Sequence, residues 1–364
     1  MRKVTRQTSE VVLSLALLLF FSPTARAQNQ PPPLEAGQIS NVLHSAAYPE
    51  AIYPHGIMPD WDRGYVIHYE SEKNHSPDTP MVVMYDASGK RIREGRIWPQ
   101  GAGSVSVRRT AATHDGAILA AGAAIMHDGA VQGYIIKTDL AGTTIQTLLT
   151  GSFRPEQICE APDGTIWSLG RSLNPNDGKE HDTRVLRHYS FENGGLHSFL
   201  PQSTVAAPVG SEEPWWVPFH SYVRCGKDKV SVYLKFTNEY VEVNTSSFEL
   251  KRWKLDEAVV QQREVNGLAV TEDGRVYVSL RGVRPEGATQ VTGLYQIKAV
   301  SGNPVALLLP VAGTITTVES GKLSPPGSFS RLWGADGNQL VVWKMEENVS
   351  RLFWVNVIHS ESTD

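Results

Sequence analysis

Val265-Asn266-Gly267-Leu268-Ala269-Val270-Thr271-Glu272-Asp273-Gly274-Arg275-Val276-Tyr277-Val278 reads as two short strands around a tight turn. The β-branched and aromatic residues suit a pleated sheet, and Asp-Gly supplies the backbone freedom that a hairpin turn needs. The pattern recurs along the 364-residue chain. Asp115-Gly116, Asp163-Gly164 and Asp336-Gly337 each precede a short apolar run, and weaker copies lie at Asp62-Arg63-Gly64 and Lys227-Asp228. With turns at 62, 115, 163, 227, 273 and 336, a strand-rich unit of about 50 residues repeats.

Each hairpin is followed by a further strand: Met81–Tyr85, Tyr134–Thr138, Val185–Tyr189, Tyr240–Val243, Leu294–Ile297 and Leu352–Val357. Five of these run into turn-rich stretches such as Asp139-Leu140-Ala141-Gly142, and then into a fourth strand. Four antiparallel strands in each of six copies predict an all-β, six-bladed β-propeller. The sixth copy stops after its third strand, near His359, while Gln38–His44 stands spare before the first copy. The N-terminal segment is therefore expected to supply the missing outer strand, because an unpaired edge is a liability.

The quoted Val265–Val278 stretch resembles a blade of the NHL, TolB-like and gluconolactonase/regucalcin group of propellers, and Glu156–Ser168 resembles it more loosely. Such blade motifs are structural and recur across unrelated activities. The resemblance to gluconolactonase and regucalcin implies a divalent cation such as Ca²⁺ in the central channel, held by Glu, Asn and Asp side chains. Asn266 matches an Asn ligand of that family, and Glu156 holds an equivalent blade position. Leu280 stands where the family commonly has an acidic residue, and Arg108 sets a like charge near any cation.

The N-terminus reads as an export signal over residues 1–27. Arg2, Lys3 and Arg6 precede the apolar Val11–Phe21, and Ala25-Arg26-Ala27 supplies small residues at the cleavage positions. A Pro-rich tail follows over 28–37, leaving 38–364 as one propeller domain. Removing the signal takes the formal net charge from −4 to −7, so no basic footprint for nucleic acid exists. No later segment is long and apolar enough to span a membrane. The expectation is a secreted or periplasmic monomer. Cys159 and Cys225 fall late in the first strands of adjacent copies, on corresponding rather than facing sides, which predicts two free thiols.

In this fold the first strand of each blade lines the channel. Counting seven residues back from each turn gives His55, Arg108, Glu156, His220, Asn266 and Phe329, with Ser221 or Ser330 replacing the fourth and sixth if the register is off by one. Five of these six are polar or charged, and Arg108 and Glu156 are placed to pair. The connections Tyr69–Thr79, Arg171–Asp182, Pro201–Pro218 and Arg281–Thr292 are long and polar, and all fall at the same end. Trp215 and Trp216 lie in the third of them, beside His220, where exposed rings would stack on a ligand. The candidate ligand-binding set is thus His55, Arg108, Glu156, His220, Asn266, Trp215 and Trp216.

No G-x-S-x-G, H-E-x-x-H or G-x-x-x-x-G-K-[ST] motif occurs. The first reading is an exported scaffold that binds a peptide, glycan, small molecule or partner protein through its loop face, without a cofactor. The alternative is a metal-dependent hydrolase of the lactonase or phosphotriesterase kind, with Glu156 and Asn266 on the cation.

Overall fold

The computed structural model describes residues 37–48, 60–69, 81–172, 184–205, 221–260, 263–282, 292–312, 330–346 and 349–358. All fall within one compact unit, Glu35–Asp364. Of the proposed export signal and tail, 1–37, residues 1–36 lie outside the described residues, and Gly37 opens the first strand.

The strands run in chain order: β1 (Gly37–Tyr48), β2 (Asp60–Asp62), β3 (Tyr65–Tyr69), β4 (Val82–Tyr85) and β5 (Arg91–Gly95). Next come β6 (Ala102–Ala112), β7 (Ile118–Met126), β8 (Val131–Thr138), β9 (Thr144–Gly151), β10 (Phe153–Glu160), β11 (Ile166–Ser172), β12 (Arg184–Ser190) and β13 (Gly194–Pro201). The last are β14 (Tyr222–Cys225), β15 (Lys229–Leu234), β16 (Glu239–Asn244), β17 (Leu250–Leu255), β18 (Arg263–Val270), β19 (Val276–Gly282), β20 (Thr292–Lys298), β21 (Val305–Ala312), β22 (Ser330–Asp336), β23 (Gln339–Glu346) and β24 (Val349–Ile358). A short helix, α1 (Glu257–Val260), follows β17. Among the described residues no helix is long and apolar enough to cross a membrane.

The architecture is all-β and propeller-like, built of antiparallel four-stranded blades. β2–β5, β6–β9 and β10–β13 form separate four-stranded sheets. The remaining strands form one twelve-stranded sheet, within which β14–β17 and β18–β21 each pair antiparallel in succession. Short parallel bridges join these groups: β17 meets β21 at Lys254↔Val305 and Leu255↔Ala306, and β1 meets β21 at Gly37↔Val311 and Gln38↔Ala312. The spare N-terminal segment lies within β1, which runs antiparallel to β24 from Gln38↔Ile358 to Tyr48↔Ser350.

First strands touch in cyclic order, β2 to β6, β10, β14, β18, β22 and back to β2. The core follows the same cycle. Successive strand residues point to opposite faces, so Ile118 packs toward β3 and β4 while Leu119 packs toward β10–β12. Trp167 joins Val230 and Val232 of the next sheet, Leu280 joins Tyr233 and Trp253, and Tyr277 joins Leu332 and Val342. The last cluster sets Trp333, Trp343 and Trp354 against Trp61, Val66 and Tyr85 of the first sheet. Gly267 is required where β18 meets β22, because a Cβ there would lie 1.9 Å from the Leu332 carbonyl oxygen.

Cys159 and Cys225 form a disulfide, with Cα atoms 5.7 Å apart, which corrects the expectation of free thiols. Turn length accounts for the difference. The β10–β11 hairpin closes at Ala161 and Thr165 around three residues, whereas the β14–β15 hairpin closes at Gly226 and Lys229 around two. Cys159 is two residues from its closing position and Cys225 only one, so their side chains leave opposite faces and meet between the sheets.

Beside that bridge, Trp167 stacks on His188 at 4.5 Å between ring centroids, and Phe248 stacks on His197 at 4.0 Å. His188 and His197 face each other across β12 and β13 with Nδ1 atoms 3.2 Å apart, so one ring donates its N–H to the other. Burial, then His197, pulls the His188 pKa below its ordinary 6.5 against the opposing pull of Asp163. The folded chain therefore binds fewer protons here than the unfolded one. The stability that this provides is full above about pH 6.5 and is lost as pH falls through the lower folded pKa. The melting temperature should fall between pH 7 and 5, and His188→Phe should flatten that slope. Equal slopes in both proteins would contradict this assignment.

Candidate functional site

The first strands share a local irregularity that positions the candidate residues. β6 skips register between Val107 and Arg109, β10 between Pro155 and Gln157, and β18 between Val265 and Leu268. Arg108, Glu156 and the Asn266-Gly267 pair are thus bulged residues, and bulges re-aim side chains near functional sites. In each case the bulge begins five residues before the pair that closes the hairpin, Thr113–Ala117, Ala161–Thr165 or Thr271–Arg275.

The other hairpins close around two residues, at Asp62–Tyr65, Gly226–Lys229 and Asp336–Gln339. The same count back reaches Ile57, Ser221 and Arg331, rather than His55, His220 and Phe329. His55, Ile57, Trp215, Trp216, His220 and Phe329 lie outside the described residues, as does most of each long connection. Ser221 and Arg331 are buried, and the Ser221 hydroxyl accepts from the Lys235 backbone N–H at 3.0 Å. β22 departs from the pattern by bulging at Trp333.

Glu156 is 7% exposed and does not pair with Arg108. Its Oε1 accepts from Arg154 Nε at 2.7 Å and from Arg171 Nε at 3.0 Å, and lies 2.5 Å from Arg154 Nη2. Arg154 and Arg171 are cross-strand partners at the loop end of β10 and β11, and sequence counting missed both. The signal was present in the one-in-two spacing of Arg154 and Glu156, which puts them on one face of a strand except that Glu156 is bulged. Arg108 is exposed. Burial pulls the Arg154 pKa down, Glu156 opposes this, and the like charges of Arg171 and Arg108 reinforce it. Guanidinium groups keep their charge under such shifts.

Two blades further on, the motif reappears with altered charge. Glu264 and Arg281 are cross-strand partners, with Arg281 Nη2 2.9 Å from Glu264 Oε2. The Asn266 Oδ1 accepts from the Ser279 hydroxyl, whose oxygen accepts from the Leu332 N–H at 3.1 Å. Asn266 thus helps join β18, β19 and β22.

The opposite end is crossed by side chains. Arg63 donates to the Ala112 and Glu160 carbonyls at 2.6 Å each, and Arg224 donates to the Trp333 carbonyl at 3.0 Å. Arg63 lies in the β2–β3 turn and reaches β10, while β14 and β22 are likewise not neighbours in the cycle. These guanidinium groups therefore span the space that the first strands enclose. A polar cleft of about 640 Å³ also opens at this end between the 227–229 and 272–274 turns.

A channel cation of the gluconolactonase kind does not fit the described donors. Glu156 is engaged by two guanidinium groups, Asn266 Oδ1 by Ser279, and Leu280 is a buried apolar residue. Among the described residues no three His, Cys, Asp or Glu side chains gather as a metal-binding group.

No family model and no curated protein matches the chain. Solved structures similar to it include a putative exported protein from Bacteroides fragilis, at 11% identity, covering 90% of this chain and 94% of that one with a TM-score of 0.48. The PQQ-bound aldose sugar dehydrogenase of Streptomyces coelicolor matches at 14% identity over 90% of this chain and all of that one, with a TM-score of 0.47. A putative gluconolactonase matches at 11% identity over 91% and 95%, with a TM-score of 0.37. These three scores lie below 0.5.

Burial of Glu156 changes what its replacement should do. A solvent-filled channel mouth would tolerate the change, whereas Glu156→Gln here weakens charge-assisted bonds to Arg154 and Arg171. The expected loss is roughly 1–3 kcal/mol, measured by urea unfolding. An unchanged midpoint would show that the carboxylate contributes nothing to holding β10 against β11.

Proposed function

We propose that the chain is an exported six-bladed β-propeller of the NHL, TolB-like and gluconolactonase-like group, acting as a monomeric binding scaffold. In this reading the twelve-stranded sheet is three blades whose outer strands touch, and β22, β23, β24 and β1 make the sixth blade. The cyclic contacts of the first strands and the six core clusters between successive sheets support that count. The leader over 1–27 supports export, the tail spans 28–37 and the propeller spans 38–364.

One observation carries the binding role. Arg63 and Arg224 cross the hairpin end, while charged bulge residues and the starts of the long connections collect at the other. A ligand would enter from the loop end, meeting Arg108, Glu156 and Asn266, with His55, His220, Trp215 and Trp216 contributed by the neighbouring segments. The ligand class of a scaffold is a peptide, glycan or partner protein.

A glycan and peptide array probed with the purified mature protein tests this. Binding that drops at least tenfold in the Trp215→Ala/Trp216→Ala double variant, with an unchanged melting temperature, supports the reading. Absence of binding on both arrays contradicts it. Lactone or phosphotriester hydrolysis abolished by EDTA would instead favour the metal-dependent hydrolase.

A further inference from the structure

We infer that the Cys159–Cys225 bridge is a thiol-exchange site entered at Cys225, so that the chain is a client of a dithiol–disulfide partner that approaches the hairpin end.

The bridge joins two sheets. Cys159 lies in β10 of a separate four-stranded sheet, and Cys225 ends β14 of the twelve-stranded one. Their Cα atoms are 5.7 Å apart, within the span of a disulfide, and the bond closes a separation of 66 residues in the chain. The sequence holds two cysteines only. Neither sulfur can therefore exchange with a third thiol of the same chain, and the two electrons released on bridging must pass to another molecule.

The two sulfurs are not equally open to that molecule. Every residue of β10 from Phe153 to Glu160 is buried, and Cys159 is 6% exposed within the cluster of Trp167, Val230 and Val232. Cys225 is half-buried against the same cluster and stands one residue from the Gly226–Lys229 pair that closes a two-residue turn. Both residues inside that turn, Lys227 and Asp228, are exposed. Exchange needs a thiolate to reach the sulfur it attacks, so its site follows access. Cys225 offers that access from the hairpin end, and the sulfur within reach of Cys159 is that of Cys225.

The exchange balances in two steps. The Cys225 thiolate attacks one sulfur of the partner's disulfide, that S–S bond breaks, and the partner's other sulfur leaves as a thiolate. Cys159, as a thiolate after giving its proton to water, then attacks the Cys225 sulfur and expels the partner's second thiolate. The cysteine pair has lost two electrons and two protons. The partner has gained the two electrons and takes up two protons from solvent as a dithiol. Run in reverse with a partner dithiol, the same steps unfasten β14 from β10.

The test exposes the bridged mature protein to reduced glutathione, traps free thiols with N-ethylmaleimide and maps both groups by peptide mass. Glutathione should appear on the peptide that holds Cys225, with the maleimide on the peptide that holds Cys159. The reciprocal arm treats Cys159→Ser and Cys225→Ser with glutathione disulfide. Cys225 in the first variant should take glutathione at least tenfold faster than Cys159 in the second, and urea that unfolds both should erase the difference. Should either variant fail to fold, the mapping of the parent decides. Glutathione found first on Cys159, equal rates in the two folded variants, or a bridge that glutathione opens only in urea would overturn the inference. None of these readouts involves the loop end, so array binding by the bridged protein stands or falls separately.

Discussion

Every sheet in this protein has two apolar faces, and the described residues include no helix able to cover one. Each face must therefore be buried by the next sheet, and the series is satisfied only when the last sheet meets the first. That requirement explains the arrangement of the core. Val66 and Ile67, adjacent in β3, pack into different clusters, as do Ile118 and Leu119 in β7. The joining cluster is rich in tryptophan. Trp61 meets Trp354 edge-on at 5.2 Å between ring centroids, and Trp354 Nε1–H donates to Asp336 Oδ2 at 2.9 Å. Large rings bury much area per residue and hold a defined geometry, which suits the seam where the last sheet meets the first.

The same closure sets where function can reside. First strands that touch around a cycle leave a central space, and the side chains that enter it differ between the two ends. At the hairpin end Arg63 and Arg224 satisfy backbone carbonyls of strands that are not neighbours, which ties the ring across its middle. At the loop end the bulges in β6, β10 and β18 interrupt the ladders and present Arg108, Glu156 and Asn266. The guanidinium ties and the bulged residues are thereby separated along the axis.

Much of this was legible in the sequence, and two of the misreadings share one physical cause. Asp-Gly turns located the hairpins, and the further strands were found because β-branched runs alternate with turn residues. The turn itself has two lengths, however: three residues at Pro162–Gly164 and two at Lys227–Asp228. Counting from the Asp cannot distinguish them, and one residue reverses the face of a strand. That slip turned the facing Cys159 and Cys225 into non-facing ones and put His220 first, with Ser221 as its one-residue alternative, where Ser221 holds the equivalent position. The partner of Glu156 was missed for another reason: Arg171 sits on the second strand, and the pairing that brings it beside Arg154 depends on the bulge.

The central claim is that the last sheet is completed by the N-terminal strand and closes onto the first. Hydrogen exchange of the backbone amides of residues 350–358, compared with those of 118–126, tests it most directly. If β1 pairs with β24 and the seam is packed, both segments exchange only through global unfolding, with equal protection. Exchange of 350–358 at the rate of a fraying edge, while 118–126 stays protected, would contradict the account.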